Sequence, residues 1–322
     1  MVEPYYRDDL VTLHHGNAED VARTLDSGSV QTIVTSPPYF GLRDYGEEGQ
    51  IGAESTVVDY VWNLVELFRE LRRVLADDGT LWLNLGDSYA TGSASGSQGR
   101  SGQRKDRSFT AAAMPARGGG VAPKNLLGVP WRVALSLQED GWILRSDIIW
   151  AKKNVMPESV SDRPTKAHEY LFLFAKSPRY YYDAKAIEED ADPASAARYK
   201  GTFGNGKQAE VSKTELQRTI VSGEREYTGK RNKRDVWTVA TQPFPGAHFA
   251  VYPPELIRPC ILAGSRRGDV VLDPFSGSGT TGAVATQEGR RYVGVDLNRG
   301  YLDLSLRTRF AQPVLDLTGG DA

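Results

Sequence analysis

The stretch DVVLDPFSGSGTT at residues 269–281 contains the pattern that decides the fold. Its apolar and β-branched start, 270–273, is typical of a buried strand, and a turn with Gly277 and Gly279 leads into a predicted helix at 280–288. A further strand, YVGVD, follows at 292–296. Strand, glycine-rich turn, helix and a second strand ending in an acid form the layout with which open α/β sheets bind nucleoside cofactors. The stretch therefore predicts an α/β protein with a ligand site at the carboxyl ends of its strands.

The chemistry of this turn limits the kind of cofactor. The turn has the sequence GSG without the full GxGxxG spacing and without a Walker lysine. Asp273 stands where a pyrophosphate would bind, and its carboxylate would repel that group. Asp296 is placed to accept hydrogen bonds from ribose hydroxyls. A nucleoside that carries a cationic group fits these residues better than a dinucleotide or ATP.

The stretch TSPPYF at 35–40 predicts a second binding element, because it follows a β-branched strand at 30–34. Pro37 and Pro38 fix the backbone and carry no N–H, so the turn offers carbonyl acceptors without competing donors. Ser36 adds a hydroxyl, and Tyr39 and Phe40 add flat apolar faces. This set suits a planar heterocycle with an exocyclic amino group. For these six residues alone, a proline-rich turn that merely ends a strand is an equal alternative.

The remaining periodic segments alternate between strand and helix patterns. Helices are expected at 18–25, 58–75 and 130–140, and another opens near Pro254 and contains Pro259, where we expect a kink. Strands are expected at 9–14, 80–85, 142–150 and 170–175, with the tyrosines at 180–182 closing a strand pair. The loop at 41–54 is long enough to cover a ligand, although an ordinary solvated loop has the same pattern.

Two regions lack periodicity and are rich in basic residues. Residues 91–122 form an expected flexible basic loop, with Arg100, Arg104, Lys105, Arg107 and Arg117 against one acid, Asp106. Residues 184–230 form an expected insertion that recognises the target. Such segments can lie along a phosphate backbone, but a linker or a solvated surface has the same composition.

Composition excludes several classes of protein. The 322 residues are 40% hydrophobic and 25% charged with a formal net charge of −2, which argues against a generally basic nucleic-acid coat. No apolar run approaches membrane-spanning length, and the N-terminus has no signal-peptide core, so we expect a cytoplasmic protein without membrane contact. A single cysteine excludes an intrachain disulfide framework, and the four histidines show no metal-ligand spacing.

The two motifs together resemble those of the S-adenosylmethionine-dependent DNA amino-methyltransferases, which make N4-methylcytosine or N6-methyladenine. TSPPY is similar to the family's catalytic motif and DPFSGSGTT to its cofactor motif, in the β-type order. HFAVYPPEL at 248–256 and RNKRDVW at 231–237 resemble further family segments. The resemblance covers most of the chain, but not 91–120 or most of 184–230.

The resemblance implies a Rossmann-like methyltransferase fold, a mostly parallel seven-stranded sheet with helices on both faces and a circularly permuted motif order. Residues 1–183 and 231–322 would form the catalytic and cofactor-binding domain, with the strand ending at Asp296 beside the strand ending near Asn17. The implied catalytic residues are Ser36, Pro37, Pro38 and Tyr39. The implied S-adenosylmethionine-binding residues are Asn17, His248, Phe249, Ala250, Asp273, Pro274, Phe275, Ser276, Gly277, Ser278, Gly279, Thr280 and Asp296, and no metal is implied.

The implied reaction is methylation of an exocyclic amino group in double-stranded DNA by a prokaryotic or phage-encoded enzyme, monomeric or homodimeric. Ser36 and the Pro37 carbonyl would accept the two amino hydrogens, and Tyr39 would stack on a base flipped out of the duplex. In the family a Ser at the first motif position is associated with cytosine N4 and an Asp with adenine N6, so cytosine is favoured here.

Four alternatives stay open at this point. They are adenine N6 as the target, methylation of RNA or of a protein glutamine, a non-catalytic module that binds S-adenosylmethionine or DNA, and a C5-cytosine enzyme that uses Cys260 after Pro259. Because Cys260 lies in an apolar helical run before the cofactor strand, we interpret it as a core residue.

Overall fold

The strand that precedes the glycine-rich turn lies in the middle of the sheet. In the computed structural model β10 (Val270–Asp273) is parallel to both neighbours, β3 (Val30–Thr35) and β11 (Arg291–Asp296). Outside these lie β4 (Leu75–Leu85) next to β3 and β2 (Val11–His15) next to β11, both parallel. The carboxyl ends of five parallel strands therefore share one edge of the sheet.

The other half of the sheet is antiparallel in part. β6 (His168–Ala175) runs antiparallel to β4 and to β5 (Ile143–Lys152). β9 (Val236–Val239) pairs in parallel with β5, and the two-residue β1 (Tyr6–Arg7) pairs antiparallel with β2. The strand order is β1-β2-β11-β10-β3-β4-β6-β5-β9. A mostly parallel sheet is confirmed, and two short edge strands are added to the expected seven.

Six α-helices of the described residues cover this sheet. They are α1 (Ala18–Thr24), α2 (Val57–Val74), α3 (Val129–Glu139), α4 (Pro254–Gly264), α5 (Thr280–Gln287) and α6 (Arg299–Ser305), which continues into a π-helical turn at Leu306–Phe310. Ile33 joins the hydrophobic core with α2 and α3, whereas its neighbour Thr32 faces Gly264 of α4. Because successive strand residues point to opposite faces, helices lie on both sides of the sheet.

The structure describes residues 3–42, 47, 49–90, 121–155, 157–192, 229–242 and 252–310. The expected cofactor residues His248, Phe249 and Ala250 lie outside these ranges, as do most of the basic loop expected at 91–122 and most of the insertion expected at 184–230. Among the described helices, none is both long enough and apolar enough to cross a bilayer.

The chain divides into two compact units, 1–183 with 235–322 and the smaller 184–234. In the smaller unit a 3-10 turn (Lys185–Ile187) precedes the antiparallel pair β7 (Glu189–Asp190) and β8 (Lys230–Arg231). Glu189 accepts from Arg231 at 3.0 Å and from Arg234 at 2.8 Å. A role of this unit in target recognition stays a prediction.

Two expected elements differ from the structure. The tyrosines at 180–182 form no strand, because Asp183 N–H donates to Ala263 O of α4 and Tyr182 stacks on Trp82 with ring centroids 6.3 Å apart. β4 begins at Leu75 instead of residue 80, because Leu75 already pairs with Val30 before an irregularity in the ladder. Cys260 is fully buried in α4, which confirms its interpretation as a core residue.

Candidate active site

The two sequence motifs meet at one cavity, because β3 and β10 are neighbours and end at the same edge of the sheet. The cavity has a volume of about 650 Å³. Its walls contain the four residues of the SPPY turn and eight of the expected cofactor residues: Ser36, Pro37, Pro38, Tyr39, Asn17, Pro274, Phe275, Ser276, Gly277, Ser278, Thr280 and Asp296. The expected catalytic residues and eight of the thirteen expected cofactor residues are thus brought together around a single space.

Asp273 does not line this cavity, contrary to the expectation from the motif. Its side chain is 1% exposed, and both carboxylate oxygens accept hydrogen bonds from the protein. Oδ1 accepts from Thr35 Oγ1 at 2.6 Å and from Phe275 N at 3.0 Å, whereas Oδ2 accepts from Thr281 Oγ1 at 2.7 Å and from Tyr252 Oη at 3.1 Å. Burial raises the pKa of this carboxyl, while the donors act in the opposite sense. Asp273 therefore holds the cofactor turn to the end of β3.

Asp296, by contrast, lies at the cavity wall and shapes the glycine-rich turn. Its Oδ2 accepts from Gly277 N at 2.7 Å and its Oδ1 from Asn298 N at 2.8 Å. Burial raises the pKa of Asp296 to about 6, against which the two backbone N–H donors act. Each carboxylate oxygen keeps a further lone pair, so the side chain can still accept hydrogen bonds from a ligand.

The two glycines of the turn have different roles. Gly277 lines the cavity with φ +51, a left-handed backbone that favours glycine. Gly279 is closely packed, since a Cβ there would come within 2.9 Å of both Ser305 and Phe310. Gly279 therefore packs against the end of α6 and the π-helical turn, and its contact with the cofactor stays a prediction.

Asn17 faces the cavity and also caps α1. Its Oδ1 accepts from Glu19 N at 2.9 Å, so the amide oxygen already has one partner while Nδ2 remains to donate. β2 and β11 pair so that His15 stands opposite Asp296. The expected neighbourhood of Asp296 and Asn17 is thus present in the structure.

The carbonyls of the SPPY turn are not equivalent. Pro38 O accepts from Tyr60 Oη at 2.9 Å, whereas none of the described residues donates to Pro37 O. Phe40 is 3% exposed and packs on Tyr60 at a centroid distance of 5.7 Å, so it belongs to the core and presents no face to a ligand. Ser36, the Pro37 carbonyl and Tyr39 remain as the elements that a bound base would meet.

Comparison with known proteins identifies the family. The model of the family described as DNA methylase, which covers N6- and N4-methyltransferases, matches residues 30–307. The chain belongs to this DNA methylase family. It is 50% identical over 296 residues to the type II methyltransferase M.Cfr9I of Citrobacter freundii, covering 92% of this chain and 86% of that protein. It is 48% identical over 293 residues to M.SmaI of Serratia marcescens, covering 90% and 87%.

Solved structures show the same fold for this methylase. The PvuII DNA methyltransferase (cytosine-N4-specific) superposes with a TM-score of 0.65 at 17% identity, covering 97% of this chain and 90% of that chain. The putative DNA modification methylase TTHA0409 of Thermus thermophilus, complexed with S-adenosyl-L-methionine, has a TM-score of 0.55 at 24% identity, covering 93% and 94%. The Rossmann-like methyltransferase fold expected from the motifs is confirmed.

The methylase is an S-adenosylmethionine-dependent enzyme that acts on DNA, and the cavity fits this cofactor. Asp296 offers spare acceptor positions for ribose hydroxyls, and Phe275 offers a flat apolar face. Four further acids line the cavity, Glu19, Glu47, Glu54 and Glu66. Glu19 and Glu66 form ion pairs with Arg23 and Arg69, and an acidic wall suits a cofactor that carries sulfonium and ammonium charges. When bound, the cofactor supplies an electrophilic methyl group. Among the described residues no cluster of acids, histidines or cysteines could hold a metal ion.

The structure adds three residues around Tyr39 that sequence reasoning missed. Tyr39 Oη donates to Glu169 Oε2 at 2.7 Å, and Asn84 Nδ2 donates to Tyr39 Oη at 2.8 Å and to Glu169 Oε2 at 3.0 Å. Lys152 forms an ion pair with Glu169 Oε1. The available signals were single polar residues in apolar strands, Asn84 in WLNL and Glu169 in HEYLFLF.

One glycine packs against the Tyr39 ring and another against the backbone of the turn. A Cβ on Gly86 would lie 2.5 Å from Tyr39 Cε2, and a Cβ on Gly52 would lie 3.0 Å from Tyr39 O. The backbone of β4's end therefore covers one part of the ring, and the loop around Gly52 closes over the turn. Since the hydroxyl is also held by Glu169, the position of this aromatic ring is fixed before any base binds.

Proposed function

We propose that this methylase transfers a methyl group from S-adenosylmethionine to the exocyclic N4 amino group of a cytosine flipped out of double-stranded DNA. The observation that carries the proposal is the position of Ser36 and Pro37 on the wall of the cavity that also contains Asp296 and Phe275. Two hydrogen-bond acceptors and the cofactor pocket thus share one space.

The acceptors match what an amino group needs in order to become a nucleophile. The nitrogen lone pair of a base amino group is delocalised into the ring, and the nitrogen gains positive charge as it is methylated. Ser36 Oγ and Pro37 O accept its two hydrogens, which favours a tetrahedral nitrogen and stabilises that charge. The prolines have no N–H that could compete for these acceptors, and their rings keep the turn rigid.

Tyr39 provides the surface for the flipped base. Its ring lines the cavity, is held by Gly86 and is tethered through its hydroxyl, so stacking requires no reorganisation of the side chain. A preordered aromatic surface lowers the entropic cost of holding an unstacked base.

The choice of cytosine rests on Ser36, because a Ser at this position of the family is associated with N4-cytosine and an Asp with N6-adenine. The PvuII enzyme, whose name states cytosine-N4 specificity, has the same fold. Both observations support cytosine over adenine as the substrate.

The test is to identify the methylated nucleoside. The protein is incubated with isotopically labelled S-adenosylmethionine and mixed-sequence duplex DNA, the DNA is digested, and nucleosides are resolved by mass spectrometry. Labelled N4-methylcytosine is expected from the wild-type protein. Ser36→Ala serves as the matched control, because it removes one acceptor for the amino group and keeps the residues that would hold the cofactor. Labelled N6-methyladenine would show that adenine is the substrate. Label in a parallel incubation with RNA, and none in the DNA, would reject DNA as the substrate.

A further inference from the structure

A continuous row of oxygen atoms leads from the cavity to a carboxylate. Ser36 lines the cavity, and Tyr39 Oη donates to Glu169 Oε2 at 2.7 Å. The Ser36 side chain lies near enough to Tyr39 to lower the pKa of the phenol through a hydrogen bond. Asn84 Nδ2 lies 3.4 Å from Ser36 Oγ, 2.8 Å from Tyr39 Oη and 3.0 Å from Glu169 Oε2. The amide nitrogen, which carries two hydrogens, therefore lies within hydrogen-bonding distance of all three oxygens.

The chemistry of these groups sets the direction in which a proton can move along the row. Hydroxyl groups can donate and accept at once, so Ser36 and Tyr39 can each pass a proton on. Burial raises the pKa of Tyr39 well above its ordinary value, Glu169 raises it further and the hydrogen bond with Ser36 lowers it, so the phenol keeps its proton. The Asn84 NH₂ group is a donor only, whereas the Glu169 carboxylate has oxygens that can accept a proton.

The proposed reaction produces a proton that must leave the site. Transfer of the methyl group forms a nitrogen–carbon bond, breaks the sulfur–carbon bond and leaves a positively charged nitrogen with two hydrogens. One of these hydrogens has to depart to give the neutral methylamino product. Of the two acceptors, Pro37 O can accept a hydrogen bond but cannot pass a proton further. Ser36 Oγ is therefore the acceptor through which the proton can leave.

We propose that Glu169 accepts this proton through Ser36 and Tyr39 while the nitrogen–carbon bond forms. The proton on the nitrogen moves to Ser36 Oγ, the Ser36 hydroxyl proton moves to Tyr39 Oη, and the Tyr39 proton moves to Glu169 Oε2. Both hydroxyl groups end neutral and Glu169 ends as a carboxylic acid, so atoms and charge balance. The Glu169 side chain is 14% exposed, which gives the proton a path to solvent afterwards.

This inference rests on the proposed function in one respect, the contact of Ser36 with the target amino group, and it holds for cytosine and adenine alike. A purely positional role of Glu169 is the competing explanation, since an acceptor of the same shape would also hold the Tyr39 ring. The two explanations differ in whether hydrogens move in the transition state.

The test compares Glu169→Gln and Tyr39→Phe with the wild-type protein and with Glu139→Gln, which changes an exposed acid on α3. Single-turnover methylation is measured with saturating DNA and cofactor in mixtures of H₂O and D₂O, and cofactor affinity is measured by calorimetry. For the wild type and Glu139→Gln we expect slower methylation in D₂O and a curved dependence on the deuterium fraction, because several hydrogens move together.

For Glu169→Gln and Tyr39→Phe we expect rates lower by about 100-fold, unchanged cofactor affinity and loss of the curvature. A Glu169→Gln variant that keeps the wild-type rate, or keeps the curved dependence at any rate, overturns the relay, as does a wild-type rate without a solvent isotope effect. If Glu169→Gln does not fold, Tyr39→Phe gives the same decision. A wild-type protein that methylates no base in DNA contradicts the proposed function instead, so the two failures are distinguishable.

Discussion

Thr35 Oγ1 donates a 2.6 Å hydrogen bond to Asp273 Oδ1, although the two residues are 238 positions apart in the sequence. Thr35 is the last residue of β3 and Asp273 the last of β10, and the SPPY turn and the glycine-rich turn start directly after them. This bond therefore fixes the distance between the base-binding and cofactor-binding parts of the site.

Asp273→Asn should lower the free energy of unfolding by about 2–4 kcal/mol, because an amide NH₂ would replace one of two buried acceptor oxygens that together receive four donors. Thr35→Val removes one of these bonds and should cost about 1 kcal/mol. Urea unfolding of the two variants checks this. An Asp273→Asn protein as stable as Thr35→Val would show that the carboxylate is not the junction of the two strands.

Cofactor affinity should rise with pH between 5 and 7. Since the pKa of Asp296 is about 6, the carboxyl is protonated below that pH and cannot accept from both ribose hydroxyls, so binding below the pKa strengthens by up to about tenfold per pH unit. Calorimetric titration with S-adenosylmethionine checks the trend. Asp296→Asn should bind about tenfold more weakly at pH 7.5 and lose the dependence, whereas Asp20→Asn, on the exposed side of α1, should keep it. A wild-type affinity that is flat across this range would exclude Asp296 as the ribose acceptor.

The same pKa has a consequence for stability without cofactor. The folded-state pKa of Asp296, about 6, lies above the ordinary 3.8. Between these two pH values the Asp296 carboxyl is therefore protonated in the folded protein and ionised in the unfolded chain. The contribution of Asp296 to stability should therefore fall as the pH rises from 3.8 to about 6 and stay low above it. Denaturant unfolding of the wild type and of Asp296→Asn at pH 5 and pH 7.5 measures the difference, and an equal response of both proteins would contradict the raised pKa.

Ser36→Ala should lower the single-turnover methylation rate by about 100-fold and leave cofactor affinity unchanged, because one of the two acceptors for the amino group is lost. Tyr39→Ala should raise the KM for DNA, since the stacking surface disappears. Rapid-quench kinetics and calorimetric titration separate these effects. Full methylation rates in both variants would remove the SPPY turn from the mechanism.

Gly86→Ala should raise the KM for DNA with no change in cofactor affinity. The new Cβ would come within 2.5 Å of Tyr39 Cε2, so the ring must move out of its fixed position, while the cofactor side of the cavity is not affected. Steady-state kinetics with duplex DNA checks the KM. A variant with wild-type KM would show that the position of the Tyr39 ring is not important for capturing the base.

Local sequence patterns predicted those parts of the site that lie within short continuous segments. The bounds of β10 and the start of α5 agree with the pattern, because an apolar run followed by a glycine-rich turn fixes both. The hydrogen-bond partners of the side chains in the site could not be predicted from these local patterns. Asp273 was expected in the cavity because its motif position faces the ligand edge, but only the tertiary packing of Thr35, Tyr252 and Thr281 shows that its oxygens are occupied.

Asn84 and Glu169 were not predicted for a related reason. They lie on β4 and β6, and their side chains meet only because these strands pair antiparallel, with Asn84 opposite Leu171. A local pattern specifies a strand but not its partner or its register, so a contact between strands 85 positions apart leaves no periodic signal. The strand predicted at the tyrosines 180–182 was wrong for a similar reason, because the packing of Tyr182 on Trp82 overrides their strand propensity.

The place of β10 in the middle of the sheet also affects how the protein can be made. As the chain is synthesised, β2 and β3 appear early, each with one neighbour nearby in sequence, β1 and β4. The second neighbour of β3, β10, follows only after residue 269, and the second neighbour of β2, β11, comes later still. Until β11 has been made, at residue 296, the parallel part of the sheet therefore stays open, with two unfilled strand edges exposed to chaperones or to other chains. Binding of cofactor can assist folding only after the glycine-rich turn and Asp296 have been made, because a nascent chain that stops before them lacks one wall of the pocket.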